Sequence, residues 1–172
     1  MATGVNSGVY KFVLVFHILA AIVGFGSVFL AGVFGAKAQA RGGREGLAIS
    51  EAVFDVSEHW SMWFIYAVPV LGIILILVSQ DVWKFSQMWI SLSFLLYIVG
   101  VGLSHGLHLP NLRRMNVLGS ELVSGAASPA GGGPPPQVAE LEARGKKAAA
   151  IGTVLNLLVV AILFLMVFKP GL

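Results

Sequence analysis

The chain has 172 residues, 57% of them hydrophobic and 11% charged, where soluble domains carry roughly a quarter charged; a mean hydropathy of +0.87 makes lipid its main solvent. It contains no cysteine, which excludes disulfides, thiolate metal sites, iron–sulfur clusters and cysteine nucleophiles. The net charge of +3 and isoelectric point near 9.5 do not point to nucleic acid, because the cations are scattered among loops and form no basic face.

The first apolar stretch, residues 10–36, holds a single charge, Lys11, and exceeds the roughly 20 residues needed to cross the hydrocarbon core. A signal-peptide reading would use the small residues around Ala36 to Ala40 as a cleavage site. The stretch is longer than an h-region of about 7–15 residues and its positive charges follow it, so it reads as a retained span. Residues 44–58 mix Leu47, Ile49, Val53, Phe54 and Val56 with Glu45, Glu51, Asp55 and Glu58. That pattern predicts a short interfacial helix running into the second span, residues 60–80. Pro69 lies in the middle of this span; it removes one helical hydrogen bond, frees the carbonyl of Ile65 and predicts a kink.

The third span covers residues 87–108, with Pro110 expected to end its helix. Residues 119–137 combine Ser, Gly, Ala and Pro without apolar periodicity and predict a flexible linker. The fourth span covers 148–168 and carries Asn156, expected to act as a hydrogen-bonding link between helices. Each span must be helical, since lipid cannot satisfy an open backbone. The fold class is therefore all-α: one polytopic domain, a bundle of four transmembrane helices. No internal repeat supports an inverted-repeat transporter.

Lys37, Arg41, Arg44, Arg113, Arg114, Arg144, Lys146 and Lys147 lie in the connectors on one side, against Lys11, Lys84 and Lys169 on the other. The positive-inside bias places the basic connectors and the interfacial helix in the cytoplasm and both termini outside. Trp60, Trp63, Trp83 and Trp89 flank the spans as expected of interfacial anchors.

Four histidines are the candidate ligands or proton carriers, because ionisable groups near the bilayer core are costly. His17 lies inside the first span, and Ala20, Ala21, Gly24, Ala31 and Gly35 fall near its face. It serves either as an interhelical hydrogen-bonding group in a small-residue seam or as a cofactor ligand or proton relay. His59 stands at the inner entrance of the second span, in line with Trp63 and Tyr66. At about 1.5 Å per residue, His17 is roughly 27 Å along its helix from the inner end near Gly35, so His17 and His59 are not expected to share an ion. His105 and His108 form a His-x-x-His pair at the level of His59. The three are either interfacial groups or a set from which two axial haem ligands could come. Asp55 and Glu58 could join His59 in an oxygen and nitrogen site, or form a solvated helix face. Only His17 occupies the outer level, so a transmembrane diheme cytochrome is not expected, whereas one inner haem or one five-coordinate haem on His17 stays open. No Ser/His/Asp arrangement or phosphate-binding glycine loop is present.

The stretch His17-Ile-Leu-Ala-Ala-Ile-Val-Gly-Phe-Gly26 resembles a family of predicted bacterial integral membrane proteins of unknown function, and the resemblance covers all four spans. More remotely the chain is similar to the small membrane bundles typified by copper resistance protein D and membrane protoporphyrinogen oxidase. In these a first-helix histidine is linked with metal or haem, and only His17 carries over. The resemblance implies a multi-pass protein of a bacterial plasma membrane. The leading expectation is a histidine-ligated haem, of b type, or a metal site in membrane redox chemistry, within the chain alone or in a redox complex. The alternative is a non-enzymatic accessory subunit packed against other membrane subunits or a second copy. A small-molecule transporter would have only a thin polar path through His17, Tyr66, Asn156 and His59.

Overall fold

The computed structural model describes residues 4–126 and 134–171. Among the described residues the chain is all-helical and has no strand. Helix α1 spans Gly8–Arg41, α2 Gly43–Asp55, α3 Met62–Val78, α4 Met88–Leu103, α5 Leu109–Ser124 and α6 Pro136–Phe168. Two short π-helical segments, Val56–Ser61 and Ser104–His108, join α2 to α3 and α4 to α5. Four continuous helical runs, Gly8–Arg41, Gly43–Val78, Met88–Ser124 and Pro136–Phe168, are long and apolar enough to cross a membrane. The expected multi-pass architecture is therefore present.

Two boundaries differ from the sequence reading. Pro110 does not end a helix: it sits in the first turn of α5, which continues to Ser124. The wide turn before it explains this, because the Leu109 N–H bonds back to the Ser104 carbonyl, five residues earlier, and a π turn relieves the clash between a proline ring and the preceding turn. Residues 119–124, expected to open the linker, complete α5, and Gly125 caps it at φ 75°. The part of the linker at residues 127–133 lies outside the described residues.

The chain divides into two compact units. The first takes its described parts from Met1–Ser27, His59–Gly100 and Leu157–Leu172. Its core gathers Ala20, Phe25, Val68 and Val159, with Phe64, Ile65, Leu71 and Tyr97 packed around them. Gly24 makes this approach possible: a methyl group there would meet the Ile65 backbone nitrogen at 3.0 Å. The small-residue seam predicted on the His17 face is thus real at Ala20 and Gly24, whereas Gly35 is exposed and faces open space.

A second cluster in the same unit packs Trp89, Ile90 and Leu165 with Trp83, Phe94 and Met166. Trp83 donates its Nε1–H to the Tyr10 hydroxyl at 2.8 Å, meets Trp89 edge to face, and lies 4.3 Å beneath the Lys169 ammonium. The aromatic quadrupoles thus take up the charge of a cation beyond the end of α6. Trp60 and Trp63 stand exposed as anchors would, but Trp83 and Trp89 turn into the protein.

The second unit takes its described parts from Val28–Glu58 and Val101–Asn156. Gly42 and Gly43, at φ 61° and 51°, supply the left-handed turn between α1 and α2 that other residues rarely adopt. Helix α2 packs along α5. Ser50 donates to Asn116 Oδ1 at 2.7 Å, and Arg113 pairs with Glu58 while lying over the Phe54 ring. Glu140 bridges Arg114 and Arg144, and hydrogen bonds from Arg114 and then Arg144 hold its carboxyl below the usual carboxylate range.

Two outcomes are expected in mild detergent. Gly24→Ala should lower thermal stability by about 1–3 kcal/mol, the range for overpacking a close contact, while Gly35→Ala leaves the melting temperature unchanged. Because the folded-state pKa of Glu140 is depressed, its contribution is complete above the unfolded carboxylate pKa and is lost as pH falls through the folded value. A wild-type melting curve should therefore fall more steeply on acidification than that of Glu140→Gln.

Candidate functional site

Pro69 has no N–H to offer the carbonyl of Ile65, and hydrocarbon offers no water in its place. The Tyr97 hydroxyl of α4 takes that position, donating to the Ile65 carbonyl at 3.3 Å. One turn further along α3, the Val68 carbonyl receives a second bond, from Nδ1 of His17 at 3.0 Å. A carbonyl only accepts, so Nδ1 carries the proton and a neutral ring keeps its lone pair on Nε2. Gly72 completes the seat: a methyl group on it would stand 3.4 Å from His17 Cε1. The first-helix histidine is therefore held by a backbone carbonyl and a glycine face of α3, half-buried beside the Ala20 and Val68 core.

The other three histidines have separate surroundings. His59 is exposed and lies in the π-helical segment Val56–Ser61. Its neighbour Glu58 is committed to Arg113. His105 is exposed and donates from Nδ1 to the Val101 carbonyl of its own helix at 3.0 Å. His108 is half-buried, and its Nδ1 is buried with no hydrogen-bond partner among the described residues. Both belong to the π-helical segment Ser104–His108, whose wider turn leaves residues three apart further from a shared face than an α turn does. Among the described residues no group of three or more His, Asp or Glu is arranged to hold a metal ion.

The sequence reading did not find Tyr97, Gly72 or the π segments. Tyr97 carried a signal, since a freed carbonyl in lipid demands a donor and a tyrosine in the middle of a neighbouring span is one. The π segments carried none, because an extra residue in a helical turn follows from packing and leaves no compositional mark. Asn156, expected to link helices, keeps its Oδ1 buried without a partner among the described residues.

The chain matches the family of predicted integral membrane proteins DUF2269 over residues 11–170 and belongs to it. No curated protein and no solved structure matches the chain.

The Pro69 and Tyr97 pair yields a double-mutant test. Tyr97→Phe should destabilise the protein by about 0.6–2 kcal/mol, the range for hydrogen bonds between membrane helices. In a Pro69→Ala background the same change should be nearly neutral, because the restored N–H satisfies Ile65. Equal losses in both backgrounds, read by thermal unfolding in detergent, would show that Tyr97 does not answer the proline.

Proposed function

We propose that this integral membrane protein carries a haem of b type, or a metal ion, on His17 and works in membrane redox chemistry, alone or as a subunit of a redox complex. The observation that supports the reading is the bond from His17 Nδ1 to the Val68 carbonyl. Ligating histidines ordinarily give their second ring N–H to a carbonyl or carboxylate, which fixes the tautomer and raises the basicity of the ligating nitrogen. His17 is held in that way, with Nε2 as the available donor.

The donor set favours haem over a bare ion. A porphyrin brings four nitrogens and asks the protein for one axial ligand, whereas a bare ion asks for a cluster of protein ligands, and none is formed among the described residues. Bound there, the group would supply one-electron chemistry. The chain's own residues orient the imidazole through Val68 and seat it against Gly72. His59, His105 and His108 would then serve at their own positions without sharing the ligand.

The same bond also fits a non-enzymatic accessory subunit, in which His17 only ties α1 to α3. Colour separates the readings. Protein purified in mild detergent from haem-sufficient cells should show a Soret band. The band should be lost in His17→Gln, which keeps a donor for Val68 and so preserves stability, and retained in His59→Ala, His105→Ala and His108→Ala. A wild-type protein with neither Soret absorbance nor stoichiometric metal by elemental analysis would leave the accessory role.

A further inference from the structure

Where the polar start of α6 turns apolar, Asn111, Glu140, Ala143, Arg144 and Lys147 line an open cleft. We propose that this cleft binds the headgroup of an anionic phospholipid, with its phosphodiester between Arg144 and Lys147 and its acyl chains along α6. Three features of the second unit carry the assignment.

The first is a wall fixed in advance. Arg144 donates from Nε to Glu140 at 2.8 Å and from Nη1 to Asn111 Oδ1 at 3.2 Å, and its own carbonyl accepts from Asn111 Nδ2 at 3.0 Å. The guanidinium is thus locked before any ligand arrives, which limits the ordering cost of binding. The second is charge. Arg144 and Lys147 line the cleft with Glu140, two cations against one carboxylate, which leaves one positive charge for a monoanionic phosphodiester. Lys147 forms no ion pair among the described residues, so its ammonium is available.

The third is position. Lys147 directly precedes the apolar part of α6, and Ala150 and Val154 follow it on the same face at helical spacing. Both are exposed. A lipid seated at Lys147 therefore finds an apolar track for its chains, which a free phosphate would not use. Basic pockets at the ends of transmembrane helices recognise lipid headgroups by this combination.

The test is lipid retention by the full chain in native mass spectrometry, comparing phosphatidylglycerol with phosphatidylcholine. Wild type should prefer phosphatidylglycerol. Lys147→Ala should weaken that preference roughly fivefold, the effect of one cation near a membrane surface. Ala143→Phe, which fills the cleft and leaves every charge in place, should weaken it as well, while Lys84→Ala should not. If Ala143→Phe binds phosphatidylglycerol like wild type, the attraction is diffuse surface charge and the cleft is not a site. If glycerol phosphate competes as well as the lipid does, the ligand is the free anion and the lipid assignment fails.

Discussion

A helix that crosses lipid with a proline at its centre leaves a carbonyl that no solvent can reach. That constraint organises the first unit. The Ile65 carbonyl is answered by Tyr97 of α4, and one turn away the Val68 carbonyl is answered by His17 of α1. The His17 bond requires α1 and α3 to come close, and Gly24 and Gly72 leave the space for it. The Tyr97 bond thus fills the gap that Pro69 leaves, and the Val68 carbonyl gives His17 its fixed tautomer. A group that would otherwise be free to turn becomes an oriented donor with one nitrogen to spend.

The second unit solves a different problem, since its helices must leave the apolar regime without stopping. Both π-helical segments stand at this change, the first between the amphipathic α2 and the apolar α3, the second between the apolar α4 and the polar α5. A π turn re-phases a helix, so the face that suits lipid need not continue as the face that suits α2 or α5. Pro110 can remain inside a helical run for the same reason. Polar bonds then replace apolar contact: Ser50 with Asn116, Glu58 with Arg113, and Glu140 between Arg114 and Arg144.

Much of the candidate site was legible in part. His17 stood out because an ionisable group inside an apolar stretch is costly, and Pro69 because its chemistry frees a known carbonyl. The link between the two residues, 51 positions apart in the chain, was not legible, since nothing in either local pattern names its partner. The small-residue seam was read too far, because spacing alone cannot distinguish Gly24, which meets a backbone, from Gly35, which faces open space. Asp55 and Glu58 are local companions for His59 in the sequence, but the ion pair that takes up Glu58 comes from α5, whose last residues read as linker by composition.

Length and hydropathy by themselves determined that this chain is helical and spans lipid four times, because a backbone in hydrocarbon has few ways to satisfy its hydrogen bonds. Composition likewise excluded thiol chemistry, and the distribution of cations marked which connectors are basic. Only the tertiary structure decided which carbonyl each side chain answers, where helices continue through a proline, and which tryptophans turn inward toward Lys169. Those choices depend on the distance and direction between residues far apart in the chain, and periodicity along one helix carries no information about the face of another.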